Sequence, residues 1–186
     1  MNDRSVQIGT AGIEIIATRG LRALTHRAVD TQMGAPEGTT SYYARTRHDL
    51  LTVVVAQISA NSEQVLAQLP SLTGITPVQA GAALGTMVHQ MARERAQDQI
   101  ARFSLMAELH TDQQLWQMLA PTHSHIVDAS IALLEALGSN SPVNQAHDLL
   151  TLIEGLLFDH IIGTAQSDPQ RTFTTYFDGV AAHRAR

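Results

Sequence analysis

The sequence predicts an all-α protein, in which a three-helix head containing a helix-turn-helix precedes a larger helical body. Three observations lead to this prediction. Apolar residues recur at spacings of three and four along most of the 186 residues, which is the period of a helix with one buried side. No stretch alternates apolar and polar residues with the period of two that is typical of a half-buried strand. Proline and glycine separate the helical stretches, as they do between helices.

Composition limits the class of protein. With 44% hydrophobic residues, the chain can bury a sizeable core. It has no cysteine, which excludes a disulfide framework, a thiolate nucleophile and a cysteine-based zinc site. No apolar run approaches the roughly 20 residues that span a bilayer, and the N-terminal MNDRSVQ lacks the apolar centre of a signal peptide. We therefore expect a cytoplasmic protein with no membrane partner.

The formal net charge of −5 is unevenly distributed. Up to Leu50, six arginines stand against five acidic residues, giving +1, whereas the remainder has six arginines and twelve acidic residues, giving −6. Only the head therefore has a charge balance that does not repel a polyanion. Two histidines of the head, His26 and His48, can add positive charge there.

The first helix is predicted from about Asp3 to Arg19, with Gly20 ending it. Its small and apolar residues fall at helical spacing on one side, and they are Ile8, Ala11, Gly12, Ile15 and Ile16. This helix braces the head.

A second helix is predicted to begin at about His26. Thr25 can accept a hydrogen bond from an unpaired amide of its first turn, and Leu24 and Val29 flank that turn as a hydrophobic staple. Gly34 follows this helix, where its tolerance of the left-handed conformation lets the chain turn.

A third helix is predicted from about Pro36 to Ala44, because proline suits a first helical position. It offers five hydroxyl groups within about one and a half turns. They belong to Thr39, Thr40, Ser41, Tyr42 and Tyr43. Gly38 leaves room for close backbone approach, so the surface suits phosphates and base edges.

Two arginines follow this helix. Arg45 and Arg47 precede the next predicted helix, and Arg47 lies near its start. A guanidinium and a free helix N-terminus can hold one phosphate together there.

This stretch resembles the DNA-binding domain of the tetracycline-repressor (TetR) family of bacterial transcription regulators, from Ile8 to about Leu51. The family's run is a small residue and Gly, a short recognition helix with Gly-Thr and a tyrosine pair, then a basic residue and a Leu. Here it is MGAPEGTTSYYARTRHDLL. Three positions differ from the family's usual residues. Ser41 replaces a DNA-contacting Tyr, Thr40 replaces an aliphatic residue that packs inward, and Ala44 replaces an aromatic residue at the end of the recognition helix.

The resemblance implies a homodimeric, sequence-specific transcription regulator without enzymatic activity, a repressor that a small-molecule effector releases from a roughly palindromic double-stranded DNA operator. The residues that it implies as phosphate anchors, or as approaching the groove, are Thr25, Arg27, Tyr42, Tyr43 and Arg47. Those implied near base edges are Thr39 and Ser41, with Glu37 and Gly38 beside them. Thr40 is expected to pack inward. Residues 1–51 then form the DNA-binding domain, and residues 52–186 form the ligand-binding and dimerisation domain.

The body is predicted to begin with a long helix from about Thr46 that Pro70 ends. After a loop at residues 70–76, Thr76 caps the next helix and Pro77 opens it. A further helix covers about residues 99–110.

The next helical segment is predicted to break at Pro121 and to end at Gly138. After a loop at residues 139–142, the stretch NQAHDLLTLIEGLLFDHIIGTAQ is apolar around much of its circumference. One face can therefore pack on its own chain while another needs a partner. A last helix covers about Pro169 to His183.

In the resembled family, the last two long helices of each subunit form a four-helix dimer interface, and the middle helices enclose a ligand pocket. The residues expected in the interface are Leu149, Ile153, Leu156, His160, Phe173, Tyr176, Phe177 and Val180. Thioethers and aromatic rings adapt to apolar ligands of irregular shape. The residues expected to line such a pocket are Met87, Met91, Phe103, Met106, His110, Trp116 and Met118.

Two alternatives stay open. One is an all-helical small-molecule binding or dimerisation module that does not bind DNA. The other is a His-dependent metalloenzyme using His123 and His125 with His89 or His110. Two histidines at a spacing of two cannot share one side of a helix, however, and no nearby carboxylate completes a ligand set. We therefore expect no metal and no other cofactor.

Overall fold

The structure is a computed structural model that describes residues 3–66 and 74–182, with side chains for all of these except residues 65–66 and 117–125. Every regular element in these ranges is helical, which confirms the predicted all-α fold class. The α-helices are α1 (Asp3–Arg19), α2 (His26–Gln32), α3 (Thr39–Tyr43), α4 (Arg47–Leu66), α5 (Pro77–Glu94), α6 (Ala96–Leu109), α7 (Gln113–Ala136), α8 (Pro142–Ile161) and α9 (Pro169–Ala182). A 3₁₀ turn, Leu21–Ala23, follows α1.

The chain forms two compact units. The first consists of Met1–Gln68 and Gln97–Thr122, and the second of Leu69–Ala96 and His123–Arg186. The first unit thus contains the whole predicted helix-turn-helix. The predicted boundary at residue 51 concerns function and stays a prediction.

Helices α1 and α4 pack closely in the first unit because two glycines of α1 face α4. A Cβ atom on Gly9 would lie 2.6 Å from the Cβ of Gln57, and one on Gly12 would lie 2.4 Å from a methyl group of Val54. Any larger residue would push the two helices apart. The largest fully buried side chains of this unit are Ile8, Ile15, Ile16, Leu24, Leu50, Ile58, Leu105 and Leu115.

Glycines also bring α5 and α9 together in the second unit. A Cβ atom on Gly85 would lie 2.8 Å from the Cα of Gln170, and one on Gly81 would lie 2.8 Å from the backbone nitrogen of Thr174. On α9, Phe173 and Phe177 are fully buried, with stacked rings whose centroids lie 6.5 Å apart. Close backbone approach and aromatic burial therefore fix α9.

Two predicted helix ends are confirmed. At α5, the Thr76 hydroxyl accepts from the Gln79 amide at 3.3 Å, and the Gln79 side chain accepts from the Thr76 amide at 2.9 Å, with Pro77 at the first position. After α7, Gly138 takes the left-handed conformation (φ 81°) that ends a helix. Within the described ranges, no helix is long and apolar enough to cross a membrane.

Two other boundaries differ from prediction. Helix α3 begins at Thr39 and not at Pro36, because Gly38 is left-handed (φ 91°) and the Thr39 amide donates to the Pro36 carbonyl in a turn. The predicted break at Pro121 is wrong, since α7 continues from Gln113 to Ala136. A proline inside a helix costs about 3 kcal/mol, which the remaining hydrogen bonds and packing of a 24-residue helix offset.

Candidate nucleic-acid interface

Helix α2 opens the helix-turn-helix, and Thr25 caps it as predicted. The Thr25 hydroxyl oxygen accepts a hydrogen bond from the Ala28 amide at 3.1 Å, which leaves the hydroxyl hydrogen able to donate. Thr25 and Arg27 are both exposed. The start of α2 therefore exposes a hydroxyl and a guanidinium, both of which are suited to phosphate oxygens.

The turn between α2 and α3 uses two glycines in the left-handed region. Gly34 has φ 63° and Gly38 has φ 91°, values that glycine adopts at little cost. A Cβ atom on either would meet no atom within 4 Å, so backbone conformation and not space requires glycine. Glu37 and Gly38 are exposed in this turn.

Helix α3 has only five residues and exposes most of them. Tyr42 is 78% exposed and Tyr43 42%, and their rings meet edge to face with centroids 5.1 Å apart. Ser41 is exposed as well, whereas Thr39 is half-buried and its hydroxyl donates to the Pro36 carbonyl at 2.7 Å. Ser41 is thus the more accessible of the two residues predicted to meet base edges.

Thr40 is the inward-facing residue of α3, as predicted, with no exposed area. Its hydroxyl donates to Oδ1 of Asp30 at 2.5 Å, and its amide donates to the same oxygen at 2.7 Å. The second carboxylate oxygen, Oδ2, accepts the Gly38 amide at 2.8 Å. Asp30, itself only 3% exposed, therefore caps the N-terminus of α3 from the interior of the head.

These hydrogen bonds keep Asp30 ionised. Burial raises the pKa of the carboxyl, but the hydrogen bonds from Thr40 and Gly38, together with nearby His26, outweigh burial and hold the pKa below its ordinary 3.8. Sequence reasoning missed Asp30. The available signal was a pair of polar residues at inward positions, Asp30 beside Val29 on α2 and Thr40 where the resembled family has an aliphatic side chain.

The other end of α3 is also held from α2. His26 Nε2 lies 2.7 Å from the backbone oxygen of Ala44, the residue that ends α3. Because a carbonyl oxygen only accepts, Nε2 carries the hydrogen. His26 and Asp30 are four residues apart and so lie on the same side of α2.

Arg47, a predicted phosphate ligand, has partners within the head. Its Nη1 donates to the Leu24 carbonyl at 2.8 Å, and its Nη2 approaches the Leu21 carbonyl at 3.3 Å. A guanidinium has five N–H donors, so Arg47 can brace the turn before α2 and still meet a phosphate. Arg45 is exposed between α3 and α4.

A reciprocal pair of hydrogen bonds fixes the start of α4. Asp49 Oδ2 accepts the Thr46 amide at 2.9 Å, and the Thr46 hydroxyl accepts the Asp49 amide at 3.0 Å. The hydrogen bonds from the Thr46 amide and hydroxyl lower the pKa of Asp49. The direction of α4, and with it the position of Arg47, is therefore set locally.

The residues predicted to line a ligand pocket are divided between the two units. Those in the second unit, both half-buried, are Met87 and Met91. Those in the first unit are the half-buried Phe103 and Met106 and the exposed His110 and Trp116. The side chain of Met118 lies outside the described residues. The pocket stays a prediction.

The residues predicted for the dimer interface lie on α8 and α9, at different depths. Those buried within their own unit are Leu149, Leu156, Phe173, Phe177 and Val180. Those half-buried are Ile153, His160 and Tyr176. A side chain already covered by its own chain has little area left to give to a partner, so the buried five mainly hold α8 and α9 in the unit.

An open groove of about 460 Å³ lies along α8. Its lining residues are Asp148, Thr151, Leu152, Gly155, Leu156, Asp159, Ser167 and Tyr176. A Cβ atom on Gly155 would meet nothing within 4 Å. Phe158 and Ile162, each 49% exposed, continue the same side of α8 at spacings of three and four. The exposed side of α8 is thus apolar along about two turns.

The Tyr176 hydroxyl, at the edge of this groove, donates to the Gln145 carbonyl at 2.8 Å. Burial, reinforced by the charge of Asp148, raises the pKa of Tyr176 to about 12. Tyr176 therefore acts as a neutral hydrogen-bond donor that ties α9 to α8. As for metals, no group of three or more potential ligand side chains that could hold an ion occurs among the described residues.

Comparison with proteins of known structure supports the fold. The chain is similar to a transcriptional regulator from Rhodococcus sp. Rha1, with a TM-score of 0.81, 17% identity and coverage of 96% of each chain. It is similar to GusR from Salmonella enterica, with a TM-score of 0.75, 19% identity and coverage of 96% of this chain and 95% of that one. It is also similar to the multidrug binding protein EbrR complexed with malachite green, with a TM-score of 0.70, 19% identity and coverage of 96% and 98%.

Sequence comparison identifies the family. No curated protein matches the chain. Residues 76–183, more than half of the chain, match the family model described as the tetracyclin repressor-like, C-terminal domain. This match is independent of the head, where the resemblance was found, and the expected family is confirmed. The chain belongs to the TetR (tetracycline-repressor) family.

Proposed function

We propose that this protein is a homodimeric transcription regulator that binds double-stranded DNA through α3, and that a small-molecule effector releases it. One observation carries the proposal. A five-residue helix exposes Ser41, Tyr42 and Tyr43, is held at both ends by α2, and is followed by the arginines Arg45 and Arg47. Hydroxyls for base edges and guanidiniums for phosphates thus belong to one short stretch of chain.

The two groups have different roles in this proposal. Phosphate contacts position a protein on DNA without reading sequence, whereas contacts to base edges specify sequence. Thr25, Arg27, Tyr42, Tyr43 and Arg47 are assigned to phosphates or the groove wall. Ser41 and Thr39, with Glu37 and Gly38 beside them, are assigned to base edges. The exposure of Ser41 and the internal hydrogen bond of Thr39 favour Ser41 as the main reader.

The same proposal includes a two-fold dimer formed by α8 and α9. The apolar groove along α8, with exposed Phe158 and Ile162 beside it, supports this dimer. Within a single chain these apolar groups are exposed to water, and a partner subunit would cover them. Of the three half-buried residues predicted for the interface, Tyr176 lines that groove. Ile153 and His160 lie on the other side of α8 from Gly155, where the His160 ring meets the His89 ring of α5 with centroids 5.1 Å apart. In a two-fold dimer the same surface faces itself, so the recognition helices repeat about 34–36 Å apart, or at a multiple, along the DNA.

A largely apolar effector is proposed to bind the body, and the residues predicted from the sequence to line its pocket are Met87, Met91, Phe103, Met106, His110, Trp116 and Met118. The likeness to a multidrug binding protein complexed with malachite green supports a small-molecule effector. A tenfold loss of DNA affinity requires about 1.4 kcal/mol of differential effector binding between two states of the protein.

Selection of duplexes from a random-sequence library with the purified full-length protein tests the proposal. We expect enrichment of one motif with two inverted half-sites, spaced by about one helical turn or a multiple. Absence of enrichment at low salt, where phosphate contacts are strongest, would favour a helical binding module that does not use DNA.

The dimer is tested separately by analytical ultracentrifugation. Ile162→Glu places a charge on the exposed apolar side of α8 and should convert the dimer to a folded monomer. Val143→Glu is the matched control, since Val143 is similarly exposed (56%) but lies on the first turn of α8, at the opposite end of the helix from Ile162. A wild-type protein that is monomeric at micromolar concentration would contradict the dimer.

A further inference from the structure

We infer that Asp30 and His26 are positioning residues for DNA recognition: they anchor the two ends of α3 to α2 and so set the direction of its exposed face. The inference rests on the proposed function and extends it to residues that do not touch DNA. It assigns to two side chains inside the head a role in specificity.

Helix α3 cannot be positioned by its own packing. It has five residues, of which only Thr40 is buried. Nearly all backbone groups of so short a helix are terminal and need partners from outside it. Burial of one threonine supplies little hydrophobic free energy and no direction, because the hydrophobic effect is non-directional.

Asp30 supplies the missing partners at the N-terminal end. Its two oxygens accept the amides of Gly38 and Thr40 and the Thr40 hydroxyl, at 2.8, 2.7 and 2.5 Å. Three hydrogen bonds on one carboxylate fix both the distance and the rotation of the first turn of α3, since each bond weakens steeply away from linearity. Hydrogen bonds to an ionised acceptor are also the stronger kind.

His26 supplies a partner at the other end through its bond to the Ala44 carbonyl at 2.7 Å. Both anchors belong to α2 and lie four residues apart, so α3 is attached at two points to a single rigid element. Rotation of α3 about its N-terminus would break the His26 bond, and rotation about its C-terminus would break the Asp30 bonds. The two anchors together therefore determine the direction in which the Ser41 side chain points away from the head.

Asp30→Asn is the discriminating substitution because it preserves volume. The amide oxygen of asparagine can replace Oδ1, but its NH₂ group then faces the Gly38 amide, donor against donor. Thr40→Val removes only the hydroxyl bond and keeps both amide bonds. Asp168→Asn is the matched control, since Asp168 caps α9 in the second unit by accepting the Arg171 amide at 3.1 Å.

The readout is a ratio of affinities, for the duplex that the wild-type protein selects from a random library and for a scrambled duplex of equal length. Loss of one well-placed base contact lowers such a ratio by about tenfold. We expect Asp30→Asn to lower it by about tenfold or more. Thr40→Val should have a smaller effect, and Asp168→Asn none. An Asp30→Asn protein that is folded and retains the wild-type ratio overturns the inference.

His26→Phe provides a second route, needed if Asp30→Asn does not fold. It keeps a ring of similar size and removes the donor to Ala44. We expect the ratio to fall in the same direction, with binding to the scrambled duplex little changed because the phosphate ligands remain. An unchanged ratio in His26→Phe overturns the inference as well.

Amide hydrogen exchange without DNA separates this inference from the proposed function. The Tyr42 and Ala44 amides donate within α3, to the Gly38 and Thr40 carbonyls. Asp30→Asn should speed their exchange by about tenfold or more while leaving α1 unchanged, because local opening requires release of the anchor. If the wild-type protein selects no duplex, the proposed function fails, and amide exchange alone then tests whether Asp30 anchors α3. Unchanged exchange at Tyr42 and Ala44 overturns the anchoring.

Discussion

Helices α3 and α9 are held in place in different ways. The five-residue α3 is tied at its ends by hydrogen bonds from Asp30 and His26. The 14-residue α9 is held along its length by buried Phe173 and Phe177 and by close approach to the glycines of α5. A short helix buries too little area to be fixed by burial, so its direction depends on directional bonds. Disturbing α9 should therefore cost stability, and disturbing α3 should cost discrimination between DNA sequences.

The largest effect is expected from Phe173→Ala. Phe173 has no exposed area, and truncation of a buried phenylalanine costs about 3–5 kcal/mol in the free energy of unfolding. Urea unfolding at equilibrium measures it. Tyr42→Ala is the control on α3, where the ring is 78% exposed, and it should change stability by less than about 0.5 kcal/mol. Comparable losses of stability in the two variants would contradict the proposed difference in how α3 and α9 are held in place.

A pair of glycine substitutions tests close packing directly. Gly85→Ala places a Cβ atom 2.8 Å from the backbone of Gln170, and the displacement of α9 should cost about 1–3 kcal/mol. Gly179→Ala adds the same atom to α9 where nothing lies within 4 Å, and it should stabilise α9 by about 0.5–1 kcal/mol. Thermal unfolding of both variants measures the opposite signs. A gain in stability from Gly85→Ala would show that α5 and α9 are less closely packed.

A smaller effect is expected when Arg47 is replaced. Arg47→Ala removes the bonds to the Leu24 and Leu21 carbonyls, which should cost about 1 kcal/mol of stability. It should also weaken all duplexes similarly and lower the salt slope by about one unit, as loss of a phosphate contact does. Arg45→Ala should change DNA binding alone. Equal stability losses in the two variants would remove the bracing role of Arg47.

The smallest effect concerns a hydrogen-bonded carboxylate in the second unit. The side-chain and backbone hydrogen bonds from Ser167, followed by that from Thr164, lower the pKa of Asp159 from 3.8 to about 2. Asp159 therefore stabilises the fold above about pH 4, and this contribution is lost as the pH falls toward 2. Urea unfolding at pH 5 and at pH 3 should show a larger stability difference between wild type and Asp159→Asn at pH 5. A difference independent of pH would contradict the assignment.

Local chemistry accounts for the elements that could be predicted from sequence. The bounds of α1, the cap at Thr76 and the end of α7 at Gly138 depend on residues within a few positions of each other. The continuation of α7 through Pro121 could not be predicted, because it depends on whether surrounding structure offsets a local cost. The start of α3 differed for a similar reason, since the left-handed conformation of Gly38 belongs to a turn that Asp30 completes.

The candidate nucleic-acid interface likewise combines features that could be predicted from sequence with one that could not. Exposure of Ser41 and Tyr42 and capping by Thr25 were predicted from residue types close together in the chain, and burial of Thr40 was implied by the family resemblance. The bond between Asp30 and Thr40 joins two side chains ten residues apart on different helices. Such a contact depends on the angle between α2 and α3, which a sequence pattern alone does not specify.

In the proposed function, α3 reads the DNA sequence, whereas the arginines that follow it contact the DNA phosphates. Ser41→Ala and Arg45→Ala can be compared on a panel of duplexes that differ by single base pairs from the selected one, with affinities measured at several salt concentrations. We expect Ser41→Ala to change base preference at one position in each half-site and to leave the salt slope unchanged. Arg45→Ala should weaken every duplex similarly and lower the slope by about one unit. A lower salt slope in Ser41→Ala together with a changed base preference in Arg45→Ala would contradict this division of roles.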